Sequence, residues 1–502
     1  FMKQAKCVAD KDVAVGEISR DLFGSFIEHL GRAVYTGIYE PGHPLADTNG
    51  FRTDVIECVK SMGVGLVRYP GGNFVSGYDW KDGIGPKDKR PRRLDLAWRS
   101  VERNEFGIDE FADWSKAAGV GIMGAVNLGT GTPKDAGELL EYCNHPGGTY
   151  WSDLRIANGH REPHNVKVWC LGNEMDGPWQ IGQMSAPEYG VKAREAAKIM
   201  RWVDPSVRLV ACGSSTTRIP SYPDWDRTVL EHLYDYVDYL SLHRYYENEG
   251  DVSDYLASFH DMDLFIKTIS GVVDFVKAKT RSRKQVYLSF DEWNIWYQRN
   301  QKTPESWEIA PPLLEDNYSL LDSLVFGGLL CTLLNNTDKV RMACLAQLVN
   351  VIAPVMTAPG GGFFRQTIFY PFAQVSGHAK GKVLKTLVHS PSKVTATYGE
   401  VPAVQSVLIH DAESGEITLF ALNTLEEEPV EYSLDLRSFG DVSFTEHVVM
   451  DGPDYSAKNS FENPDRVVPR HESSVPSVNG GGEISVILPK LSWNMVRLSS
   501  GR

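Results

Sequence analysis

The sequence contains no run of roughly 18 apolar residues, so no membrane-spanning helix is expected. Basic clusters are missing as well. The formal net charge is −14, which argues against nucleic-acid and anionic-membrane partners and is compatible with an uncharged polymer. Cysteine is sparse: seven residues, scattered from Cys7 to Cys344, form no CxxC pair. Disulfide frameworks and zinc sites are therefore not expected, and reduced, buried thiols are. Neither an HExxH motif nor a close His/Cys/Asp cluster occurs, so no metal centre and no cofactor are expected. No apolar h-region follows Phe1-Met2-Lys3. Phe1 reads as an added residue, no signal peptide is expected, and the expected location is cytoplasmic.

What is present has an ordinary soluble composition, 42% hydrophobic and 23% charged, in 502 residues, too long a chain for one core. The stretch Val166–Met175 organises the rest. Apolar and β-branched residues run to Leu171, stop at Gly172 and deliver Asn173-Glu174. A buried parallel strand reads this way where it ends at a barrel mouth. Leu288–Asn294 repeats the plan and places Glu292 just past its apolar residues. Further strands are expected at Leu22–Glu28, Val64–Asn73, Val120–Asn127, Val207–Gly213, Tyr239–Tyr246 and Val340–Val349. Helical spacing separates them, which is the pattern of a (β/α)8 TIM barrel. After Lys380 only short β-rich runs remain, Val394–Tyr398 among them, with a hairpin tip at Asp411–Gly415 and a polar loop over Asp454–Gly482. The expected fold is thus α/β: a barrel over 21–380 and a jelly-roll-like β-sandwich over 381–502. Strands within 1–20 are expected to join the sandwich.

Polar residues collect at the expected strand ends: Glu28, Arg68 with Asn73, Asn127, Asn173-Glu174, His243 with Tyr245, Glu292 and Gln347. Each alone has a plainer reading as a cap, a loop anchor or an ion-pair partner. Together, at so many strand tips, they point to one pocket. Two carboxyl groups there suit glycosidic cleavage, one protonating the leaving oxygen and the other attacking carbon or activating water. Glu174 is assigned as acid/base, its pKa raised by a second carboxylate. Glu292 is assigned as nucleophile, with Arg68 and Tyr245 as candidate donors. Asn173 can bond the hydroxyl next to the anomeric carbon, and Glu28, Asn73 and Gln347 the others. Among the loop aromatics (Phe26, Trp98, Trp179, Trp296 and Trp307), Trp296 is the favoured sugar platform, four residues beyond Glu292.

The segments Phe23–His29, Arg68–Phe74, Trp169–Glu174, Ser241–Tyr246, Asp291–Asn294 and Ala346–Asn350 resemble those of glycoside hydrolase family 51, the α-L-arabinofuranosidases of clan A. The Asn-Glu pair marks only the clan; joined with Tyr69–Phe74 it is specific to the family. The resemblance implies a retaining exo-enzyme that removes terminal α-L-arabinofuranosyl groups from arabinan- or arabinoxylan-derived oligosaccharides. It implies the same roles for Glu174 and Glu292. It puts Glu28, Arg68, Asn73, Asn173, Tyr245 and Gln347 around the cleaved sugar, and it implies a cytoplasmic homo-hexamer. The loops at 29–50, 75–106 and 295–315 are expected to shape leaving-group choice. The rival readings are a clan A endo-glucanase or β-xylosidase on the same carboxylate pair, and a catalytically dead carbohydrate-binding barrel, which would need one carboxylate replaced.

Overall fold

A closed barrel of eight parallel strands forms the centre of the computed structural model, which describes residues 2–474, 476–479 and 481–501. In chain order the barrel strands are Gly24–Phe26, Leu66–Tyr69, Gly121–Val126, Val168–Leu171, Arg208–Ala211, Tyr239–Tyr246, Tyr287–Ile295 and Val340–Leu345. Cys344 pairs with Gly24 to close the ring. Each falls within, or overlaps, a stretch expected to be a strand, because strands buried on both faces read as continuous apolar runs. The seventh strand differs in one respect. It runs through Glu292 to Ile295 instead of ending there, and it carries an extra residue between Ser289 and Glu292 relative to the sixth. Such a bulge re-aims side chains beside a site. The helix Tyr150–Ala157, with Thr149 closing a capping box, is an addition to the expected elements.

The β-rich tail forms one ten-stranded sheet. Asn423 on Glu416–Asn423 donates to the carbonyls of Leu488 and Pro489 at 3.4 and 2.9 Å, at the end of strand Glu483–Leu488. Those strands lie five positions apart in the sheet, roughly 24 Å if it were flat. The sheet therefore curls back on itself around an apolar core containing Leu408, Leu419, Tyr432 and Val486. Lys3–Glu17 joins its middle, antiparallel to Lys382–His389 and parallel to Val430–Asp435. The run Val394–Tyr398, expected as one more strand of this layer, is instead part of a separate hairpin, Ser392–Thr395 with Gly399–Pro402. Within the expected loop, Arg470–His471 and Ser477–Asn479 supply short edge strands of the sheet.

Helix Leu320–Asn335 couples the two layers. It is apolar on nearly every side, the mark of a helix buried all round. Trp293 of the barrel meets its Phe326, and Trp493 of the sheet lies so close against Gly327 that a Cβ there would collide with the indole. Among the described residues no helix is long and apolar enough to cross a membrane.

Candidate active site

A cleft of about 780 Å³ opens at the C-terminal ends of the barrel strands. The first and last barrel strands lead into Glu28 and Gln347, whose side chains meet there: the Gln347 amide donates to Glu28 Oε2 at 3.2 Å and accepts from the Glu28 backbone N–H at 3.2 Å. Phe74 N–H and Trp98 Nε1 both donate to Glu28 Oε1, at 2.9 and 2.8 Å. Gly72 explains the Gly-Gly of the Arg68–Phe74 segment. Its φ is +69°, and a Cβ would overlap the Glu28 carboxylate. Only glycine lets the backbone pass so close. Burial raises the Glu28 pKa well above the usual range, against the donors that lower it.

Arg68, on the second strand, spans two partners. It donates to Glu292 Oε1 at 2.7 Å and to Asn173 Oδ1 at 2.6 Å, with its guanidinium over the Phe26 ring. Tyr245 donates to the other Glu292 oxygen at 2.8 Å, and Trp296 packs edge-on against Tyr245 at 5.0 Å. Asn173 also reaches Gln180 at 3.2 Å. Glu174 follows with φ +44°, a left-handed backbone that a glutamate adopts only under constraint. Trp179 Nε1 donates to its Oε2 at 2.5 Å. Asn73 lines the same cleft.

His243 ties the carboxyl groups together. Its Nδ1 lies 2.9 Å from Glu174 Oε1 and 3.5 Å from Glu292 Oε2, and its Nε2 lies 2.6 Å from Asp291 Oδ1. The bulge in the seventh strand lets consecutive residues, Asp291 and Glu292, both serve this cluster. One oxygen each of Glu174 and Glu292, with a His243 nitrogen, lie within 4.8 Å of one another. Burial, then the nearby Glu292, raises the Glu174 pKa, while His243 and Trp179 pull it down. For His243 burial opposes charge, but Glu292, Asp291 and Glu174 push its pKa up to about 10. Two cations, Arg68 and His243, thus face four carboxyl groups.

Two residues that the sequence suggests for this pocket fall outside the cluster. Asn127 spends its amide on its own loop and the neighbouring one, accepting from Gly129 and Gly131 N–H and donating to Thr130 Oγ1 and Tyr78 O. Trp307 sits outside the cleft under Arg99. Conversely, sequence reasoning gives no part to Gln180 or Asp291, or to the hairpin Ser392–Pro402. That hairpin places Thr397 and Tyr398 on the cleft wall, its Thr397 N–H held by Asp254 at 3.0 Å.

Comparison with known proteins gives the family. The sequence model described as "Alpha-L-arabinofuranosidase 1 domain" matches residues 58–264, and "Alpha-L-arabinofuranosidase C-terminal domain" matches 291–492. The chain is 52% identical over 499 residues to an intracellular exo-alpha-(1->5)-L-arabinofuranosidase of Halalkalibacterium halodurans, covering 98% of this chain and 99% of that one. The chain belongs to glycoside hydrolase family 51. This α-L-arabinofuranosidase family member also superposes on a solved family 51 enzyme of Bifidobacterium longum with a TM-score of 0.95 at 43% identity, covering 99% and 100% of the two chains. It is 48% identical over 510 residues to an exo-alpha-(1->6)-L-arabinofuranosidase of the same species, covering 99% and 98%. The family 51 fold, a barrel with a sheet-rich C-terminal part, is therefore present over the whole chain.

Proposed function

We propose that this family 51 glycoside hydrolase removes terminal α-L-arabinofuranosyl residues from arabinan- and arabinoxylan-derived oligosaccharides by double displacement with net retention. The carrying observation is the approach of Glu174 and Glu292 oxygens to within 4.8 Å. Retaining enzymes hold their carboxyl groups roughly 5–5.5 Å apart, and inverting ones roughly 6.5–9.5 Å to admit a water. Glu174 protonates the leaving oxygen and then activates water. Glu292 attacks the anomeric carbon as a carboxylate whose two oxygens accept from Arg68 and Tyr245. Arg68 and Gln180 fix the Asn173 amide beside the anomeric carbon. Glu28, Asn73 and Gln347 meet the remaining hydroxyls, His243 orients Glu174, and Trp296 walls the sugar.

The exo mode rests on the relatives' names. Those names give 1->5 cleavage in one and 1->6 in another, so linkage choice here rests with the cleft wall. Product analysis on debranched arabinan and arabinoxylan oligosaccharides, with proton NMR of the first-formed sugar, tests the reading. Arabinose released singly with the retained anomer is expected. Release of the opposite anomer, or of internal fragments, overturns it.

A cytoplasmic homo-hexamer is part of the same proposal: relatives named intracellular support the location, and the hexamer rests on the family resemblance alone. Light scattering is expected to give about six times the chain mass. A monomer at micromolar concentration removes the hexamer and leaves the catalytic reading intact.

A further inference from the structure

A second cluster of metal-ligand type lies away from the cleft. It joins the helix Ile108–Ala118 to the connection between Tyr150–Ala157 and the fourth barrel strand. His164 Nε2 is 2.6 Å from Asp109 Oδ1, and His160 Nδ1 is 3.9 Å from that same oxygen. All three ligand atoms lie within 4.8 Å of one another. The sequence spacing His160-Arg-Glu-Pro-His164 carries the pair, but Asp109 is far away in the chain, so the cluster exists only in the fold.

Hydrogen bonding explains part of this arrangement and leaves one atom over. Asp109 and His164 pair directly, yet His160 Nδ1 is buried without any partner, too far from Asp109 for a hydrogen bond. The surroundings are those of a supported ligand set. His160 Nε2 is held by Asp113 Oδ2 at 2.9 Å, a carboxylate that fixes which ring nitrogen is free. Tyr142 donates to the second Asp109 oxygen at 2.6 Å and itself accepts from Asn158 at 3.0 Å. The loop backbone is already fixed. Fully buried Arg155 donates to the carbonyls of His160 and Arg161, and His164 N–H donates to Cys143 O at 2.7 Å.

We propose that Asp109, His160 and His164 bind one Zn²⁺, which staples the loop ahead of the Glu174 strand to the second barrel helix. Two imidazoles and a carboxylate suit zinc over magnesium or calcium, which take oxygen ligands. Zinc bonds of roughly 2.0–2.2 Å set tetrahedral ligand atoms about 3.4 Å apart. The short Asp109–His164 pair opens and the long Asp109–His160 pair closes, each by under about 1 Å. The His160 ring is partly exposed, while the nitrogen it offers the ion is buried.

The test is titration of Zn²⁺ into the full-length protein after EDTA dialysis, followed by calorimetry and thermal melting. One equivalent is expected to bind and to raise the melting temperature, because a ligand of the native state alone stabilises it. His160→Ala with His164→Ala should abolish this, and Asp113→Asn, at a half-buried position, should weaken binding roughly 10–100-fold. Should the double variant not fold, Asp113→Asn decides: unchanged affinity overturns the proposal. So does Zn²⁺ uptake that persists in the double variant and is displaced by arabinose, which places the ion between Glu174 and Glu292. Absence of any binding to the wild-type protein refutes it outright.

Discussion

Truncating Glu292 to alanine is expected to abolish turnover for every leaving group, whereas Glu174→Ala is expected to spare the bond-cleavage step of activated aryl arabinofuranosides. The difference follows from what each carboxyl group must do. A poor leaving group departs only with a proton, so losing the acid at Glu174 should lower its rate by about 10²–10⁴. A nitrophenolate leaves unaided, and the covalent sugar on Glu292 then waits for a base that is no longer there. Azide needs no base, so it should restore turnover of Glu174→Ala and give the retained arabinosyl azide. With Glu292→Ala no covalent intermediate forms, and azide can only attack directly, giving the inverted azide. Retained azide from Glu292→Ala, and none from Glu174→Ala, would reverse the two roles. The pH profile offers a second check. Burial and Glu292 raise the Glu174 pKa, so its proton is present at low pH and lost as pH rises. Activity of the wild type should therefore fall on the alkaline side, and this limb should vanish in Glu174→Gln with an activated substrate.

Arg68→Met is the second change with a large expected effect, and it should act on stability and rate together. The guanidinium is 1% exposed and bridges Glu292 and Asn173. Removing one partner of a buried pair leaves an uncompensated charge, destabilising by about 3–5 kcal/mol. In the active site it removes one of two donors to Glu292 and frees the Asn173 amide, a loss of about 10²–10³ in kcat/KM. Arg68→Lys should recover little, since an ammonium cannot bridge both oxygens in the planar fork. Thermal melting and aryl-arabinofuranoside kinetics measure both effects. A variant that melts with the wild type and keeps its rate within about threefold would show that Arg68 does neither job.

The barrel was legible in sequence because its strands are buried on both faces and end in polar residues, as Val168–Leu171 does before Asn173-Glu174. Roles that depend on partners were less so. Asn127 sits at a strand end like Asn173, but it faces its own loop, and strand position alone does not separate the two. Asp291 neighbours Glu292, and in a regular strand it would point the other way; only the bulge brings both to His243. The hairpin around Tyr398 read as one strand because its turn, Ala396–Tyr398, lacks glycine until Gly399. The helix Tyr150–Ala157 is too short for its periodicity to stand out.

The position of Lys3–Glu17 also sets a timetable. This strand lies in the middle of the sheet, yet both neighbours, Lys382–His389 and Val430–Asp435, are made only after all eight barrel strands. At roughly 5–20 residues per second, its last partner follows it from the ribosome only after roughly 20–80 s. For that interval the nascent chain carries this strand without its partners while the barrel is made behind it. The sheet can close only once Val430–Asp435 exists, so a chain cut short before Val430 leaves an open strand edge, the kind that pairs with other chains.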